Sequence, residues 1–226
     1  MTKQLQKEVT VLKEQMIELS TKVEDKLHHA IEAVFKRDAA MAQSVIDGDR
    51  DVDLREVELE EECLKVLALY QPVASDLRIV VSVLKINNDI ERIGDLAVNI
   101  AQRAQKLSAY REIVVPEMLR QLAAGASQAL RDALRAFMTL DDKLAQTVVN
   151  GDPAIDELNR QMYGWMEEQV CKKPELVSGF LLVLSTSKHL ERVADHAANV
   201  AEDVIYLMRG DIVRHTAMEE LKTNEG

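Results

Sequence analysis

The chain writes one helix twice. "DIERIGDLAVNIA" runs from Asp89 to Ala101, and "HLERVADHAANVA" runs from His189 to Ala201. Positions 83–101 and 183–201 share Val83, Leu84, Glu91, Arg92, Asp95, Ala97, Asn99 and Ala101, 8 of 19 residues, where chance gives about one. A second pair precedes the first: "SVIDGDRDVD" (Ser44 to Asp53) answers "TVVNGDPAID" (Thr147 to Asp156). Two matched segments in the same order make the chain a tandem duplication of a unit of roughly 100 residues.

Each unit reads as helix. Val9, Leu12, Met16, Leu19, Val23, Leu27, Ile31 and Val34 step by three and four, the period of a helix packed in a bundle. Only 8 glycines and 4 prolines punctuate 226 residues, and aromatics make up 4%, which disfavours a sheet protein. The breaks at Gly48, "QPVASD", "NGDP" and "KKPE" leave about three main helices per unit. Asp49 is expected to cap the second helix of the first unit, and Ser75 or Asp76 the third. In the second unit, Pro116 is expected to open the first helix and Asp152 to cap the next, with Pro153 at its first position. The expected fold is all-α: two tandem, pseudo-symmetric three-helix bundles spanning residues 1–111 and 112–210, then a polar, frayed tail over 211–226.

Charge and cysteine usage narrow the function. A net charge of −11 repels phosphate backbones and anionic lipid, so no nucleic-acid or direct membrane partner is expected. Cys63 and Cys171 stand far apart without a CxxC pair, which suits reduced, buried or half-buried thiols in the cytosol rather than a zinc site. The N-terminus lacks the apolar stretch of a signal peptide. The longest apolar runs, "IVVSVL" and "FLLVL", are too short to span a bilayer. No nucleophile set, Walker motif or phosphate-cradling glycine loop is present. His28 and His29 lack the ExxH spacing of a di-iron bundle.

The repeated helix separates two faces. Ile86, Ile90, Ile93, Ala97, Ile100, Ala104 and Leu107 form an apolar seam, and Leu190, Val193, Ala197, Val200, Val204 and Leu207 form its counterpart. Glu91, Asp95 and Asn99 stack four apart about 140° or more from the seam centre, and so are expected to face out of their own bundle, as are Glu191, Asp195 and Asn199, joined by Glu202. Such a line can be a plain solvated face, with Arg92 and Arg192 as surface ion partners. Carboxylates four apart also place oxygens close enough to share a hard cation, with an Asn oxygen to complete or orient the shell. A cation would offset the repulsion between stacked acids. His196, beside Asp195, could add a ligand.

"ASDLRIVVSVLKINNDIERIGDLAVNIA", with a "GDxxxD" segment ahead of each "ERxxD" helix, resembles the PhoU family over residues 5–210. The second unit lacks the lead-in that Asp76, Leu77 and Arg78 supply in the first. The resemblance implies a cytoplasmic negative regulator of the phosphate-starvation response. It would couple the phosphate ABC transporter, through its ATPase subunit, to a sensor histidine kinase and restrain phosphate uptake, reaching the membrane only through these partners. It implies self-association as a dimer and no catalytic residues. It also implies metal ions on the two acidic faces: iron, manganese, magnesium or zinc, held by Glu91, Asp95, Glu191 and Asp195. Asn99 and Asn199 are secondary candidates, then Asp49, Asp53, Asp152 and Asp156. Two competing readings stay open: a helical phosphatase acting on a phosphorylated partner, and a metal-free scaffold.

Overall fold

A computed structural model describes residues 3–210, so the tail at 211–226 lies outside the described residues. Seven helices follow in order: α1 Lys3–Lys36, α2 Ala39–Asp47, α3 Asp49–Tyr70, α4 Ala74–Leu107, α5 Glu117–Thr139, α6 Asp142–Lys172 and α7 Val177–Arg209. A single 3-10 turn, Pro174–Leu176, leads into α7, and the described residues contain no strand. The first unit packs α1 against α4 with α2 and α3 alongside, and the second packs α5, α6 and α7 together. Every seam residue expected of α4, from Ile86 to Leu107, is fully buried.

The duplication is visible in the joints. Each unit ends its first helix on a left-handed residue, Arg37 at φ 58 and Leu140 at φ 53. Each then starts its second helix on an aspartate. The Asp38 carboxylate accepts from the Ala40 and Met41 amides, and Asp141 accepts from Lys143 and Leu144, satisfying amides that the first turn leaves open.

Four local expectations are corrected. Asp49 is the first residue of α3 and makes no cap bond; its carboxylate goes to Lys26 instead. Neither Ser75 nor Asp76 caps α4, which begins at Ala74 after extended Val73 with no side-chain cap. Pro116 precedes α5 rather than lying in its first turn. Asp152 caps nothing, because α6 runs unbroken through Gly151 and Pro153. Proline removes one backbone bond there, and burial of Val148, Ile155 and Met162 on both sides of it carries the helix through. Cys63 is buried as expected, whereas Cys171 is exposed, and both thiols are free. Burial pushes the Cys63 thiol up to about 12, which leaves it unreactive.

The units meet along α4 and α7. Lys85 Nζ donates to Asp203 Oδ1 at 3.0 Å, and Arg103 Nε donates to Ser185 Oγ at 3.2 Å. Residues early in one helix thus meet residues late in the other, so the pair is antiparallel. These two bonds join equivalent positions, 85 with 203 and 185 with 103, as a two-fold relation between the repeats requires. Asp89, 8% exposed, accepts from Asn199 Nδ2 at 3.3 Å and lies 2.8 Å from His196 Nδ1. The connection between units, residues 108–116, is tied down by Arg37, which donates to the carbonyls of Leu107 and Ile113 at 3.0 and 2.6 Å. It also crosses α7 at Gly179, where an added Cβ would stand 2.3 Å from Ile113 Cδ1.

Lys85→Met keeps the stem and removes the cation that faces buried Asp203. The expected loss is about 2 kcal/mol, below the range for a fully buried pair because Lys85 is partly exposed. That corresponds to a melting temperature lower by roughly 4–8 °C. An unchanged melting temperature would show that the ion pair does not hold the units together.

Candidate metal centres

Each acidic face is built from two helices. In the first unit α3 lies along α4, and this places Asp53 within the field of both Asp49 and Asp95. Glu91 lies in the field of Asp95, Glu56 and Asp53. Desolvation first, then this mutual repulsion, raises the Glu91 and Asp53 carboxyls above their ordinary range, and desolvation, then Glu60 and Asp53, raises Glu56. A buried amide sets the approach of the helices: Asn87 Nδ2 donates to the Glu56 carbonyl at 2.9 Å and to its Oε1 at 3.0 Å. Arg92 spans the line on the solvent side, 3.3 Å from Glu91 and 3.4 Å from Asp95. Lys26, on α1, reaches Asp49 from beneath and is only 7% exposed.

In the second unit α6 lies along α7 in the same way. Ser187 Oγ donates to Asn159 Oδ1 at 3.0 Å, repeating the Asn87–Glu56 link with different atoms. Asn159 in turn hydrogen-bonds Glu191. Asp152, Asp156 and Asp195 converge so that one oxygen from each lies within 4.8 Å of the others. Among the described residues this is the one set of three such groups that close. Burial, then Asp195, Asp156 and Glu202, push the Asp152 carboxyl up to about 6. Asp195 and Glu191 are raised as well, again chiefly by desolvation. Asp152 Oδ1 is buried without a hydrogen-bond partner. Carboxylate oxygens alone, crowded and partly desolvated, suit a hard divalent cation that completes its shell with water.

The structure therefore gathers Asp49, Asp53, Glu91 and Asp95 on one face, and Asp152, Asp156, Glu191 and Asp195 on the other. It does not bring the asparagines in equally. Asn99 stays beside its line but spends its Nδ2 on the Asp95 carbonyl at 2.9 Å. Asn199 turns to the junction of the units and bonds Asp89 instead. His196 turns its Nδ1 to Asp89 as well and is not among the three groups that close. The strip of α4 that carries the acids is hemmed in: Leu96 and Val98 on its two flanks are buried. Three contributors escaped the sequence reading. Glu56 and Asn159 each lie three residues beyond the "GDxxxD" aspartate, one turn along the same face, a spacing that could have found them. Lys26 offered no such signal, since a lysine on an amphipathic helix normally reads as solvated.

Residues 16–104 and 119–204 each match the PhoU domain. The chain is 36% identical over 214 residues to a phosphate-specific transport system accessory protein PhoU homolog from Aquifex aeolicus, covering 95% of this chain and 97% of that one. It is 31% identical to the phosphate-specific transport system accessory protein PhoU of Escherichia coli, covering 96% and 90%. The crystal structure of PhoU from Pseudomonas aeruginosa superposes with a TM-score of 0.87 at 32% identity, covering 91% of this chain and 99% of that one. The phosphate transport system regulatory protein PhoU of Streptococcus pneumoniae superposes at 0.84 and 29% identity, covering 92% and 99%. With both halves matched and relatives aligned end to end, this chain belongs to the PhoU family.

Proposed function

We propose that the chain is a non-enzymatic regulator of phosphate transport. It couples the phosphate ABC transporter, through its ATPase subunit, to a sensor histidine kinase, represses the phosphate-starvation response and restrains uptake. It acts in the cytoplasm, self-associates as a dimer and meets the membrane through its partners. The observation that carries this reading is the end-to-end likeness to proteins named as accessory and regulatory components of phosphate transport. No helix among the described residues is long and apolar enough to cross a membrane, which suits a protein that works through a transporter rather than as one.

Metal binding is the second part of the proposal. A divalent cation would sit among Asp152, Asp156 and Asp195, with Glu191 one turn away. Its role is structural: it would neutralise repulsion that otherwise presses α6 from α7, and so stiffen a face presented to a partner.

Deleting the gene in its parent organism should raise phosphate uptake and switch on a starvation-response reporter in phosphate-rich medium. The wild-type chain should restore repression. A deletion strain that still represses the reporter in rich medium would overturn the regulatory reading.

The electrostatics of Asp152 give a test in vitro. Its folded carboxyl is raised from 3.8 to about 6, so the folded state holds this proton more tightly than the unfolded chain. Stability therefore falls as pH rises through the window from about 4 to about 6, and the full penalty applies above it. Metal-free protein should melt lower at pH 7.5 than at pH 5. Asp152→Asn should narrow that gap, and manganese should raise the wild-type melting temperature at pH 7.5 but not that of the variant. Equal pH dependence in both proteins would remove Asp152 from the strained cluster.

A further inference from the structure

The repeats correspond at a spacing of 103 residues across the first two helical layers, and the correspondence extends to a pair of grooves. In the first unit a groove is lined by Lys22, Lys26, Val45, Gly48, Asp51 and Val52. Their counterparts Gly125, Ala129, Val148, Gly151, Ala154 and Ile155 line a groove in the second. The shape is repeated and the chemistry is not. In the first unit Lys26 runs buried to Asp49, and Lys22 pairs with Asp51 above it. In the second unit both lysines and the outer aspartate are replaced by glycine and alanine. What remains is an apolar groove of about 310 Å³ that opens through to Asp152, Leu158 and Ala194.

Asp49 and Asp152 are equivalent residues. One meets an ammonium supplied by its own chain. The other keeps a buried oxygen with no hydrogen-bond partner while two further carboxylates close on it to within 4.8 Å. The first unit has no comparable convergence among its described residues. A lysine ammonium and a divalent ion compete for the same carboxylate oxygens. Binding a divalent ion at the first face would require Lys26 to leave a buried position, or to remain as a like charge a few ångströms from the metal.

We propose that the two acidic faces are not equivalent: Lys26 is a built-in cation that closes the first face to metal, and only the second face takes a divalent ion from solution. This rests on the metal reading above and deepens it, by giving the physical reason that one of the two acidic faces takes no ion. The first unit then carries a permanent cation at the position where the second gains one only when metal is present. Metal can act on the two halves of the molecule differently although they are copies of one another.

The test is a set of titrations of full-length protein with Mn²⁺, read by isothermal calorimetry and by loss of the free-ion resonance. Circular dichroism checks the fold of each variant. Wild type should bind one Mn²⁺ per chain at least tenfold more tightly than any other. Asp152→Asn with Asp195→Asn should abolish that site, whereas Asp49→Asn with Asp95→Asn should leave it. Lys26→Ala, which copies Ala129, should open a second site and bring the count to two. Lys26→Met does the same with the aliphatic stem kept, should the alanine variant fold poorly. Ala129→Lys should carry the closure across and remove the wild-type site. Two equal sites in wild type would overturn the inequivalence, and a count of one that Lys26→Ala and Lys26→Met leave unchanged would overturn the role of Lys26; either result spares the metal reading. No Mn²⁺ bound by any of these proteins would overturn both.

Discussion

The antiparallel contact of α4 with α7 governs the rest of the molecule, because each of these helices has to be buried twice. One side carries the regular seam into its own bundle. The opposite repeat covers a second side, where Lys85, Asp89 and Arg103 meet α7. A helix sealed on two sides retains only a narrow strip for charge. The acids that remain on that strip lie against the acids of α3 or α6 rather than in open water. Their raised carboxyls follow from this placement: the burial is imposed by packing, and repulsion accumulates wherever packing leaves no room to diverge.

The polar groups inside that contact are arranged for pairing. Asp89 and Asp203 are both buried, and each meets donors from the other repeat. A buried carboxylate without such partners would be heavily penalised. The pairs are specific to one register of α4 on α7, so a slide by a turn would break all of them together. Duplication makes this inexpensive to encode. A residue placed once on the ancestral helix appears on both sides of the two-fold relation, and Lys85–Asp203 with Arg103–Ser185 shows how the two copies then diverge around it.

Divergence is also what separates the two acidic faces. Both retain the pair of aspartates four apart on the middle helix and the Glu-and-Asp line on the last. The compensation differs: an internal ammonium in one, a small-residue groove in the other. A lysine stem and a glycine-and-alanine floor occupy one position in the fold with opposite consequences for the charge beside it.

Much of this was legible in the residues. The two matched segments identify the duplication, the three-and-four stepping of the seams identifies helix, and the core residues of α4 follow from that stepping alone. The pairing of the "GDxxxD" aspartates with the "ERxxD" line was suggested by resemblance to a family, and α3 lying along α4 brings those residues together in space. The errors were local. Asp152 and Pro153 look like a helix start because capping and proline preferences act within one turn; α6 continues because its apolar residues on either side of the proline are buried against α5 and α7. Asn199 looks like a partner of Asp195 at four residues' spacing, yet a shift of about 40° per four residues is enough to hand it to Asp89 once α4 lies against it.

The sequence by itself determined the periodicity, the number of repeats and the excess of acid on one strip of each final helix, since all of these are properties of neighbours along the chain. Only the tertiary structure decided which strip is covered by the other repeat, that Lys26 lies buried against Asp49, and that three aspartates from α6 and α7 converge. Those outcomes depend on distances between residues far apart in the chain. Burial and Coulomb interaction act through space, and no pattern along a single helix records which charge will arrive from the next one.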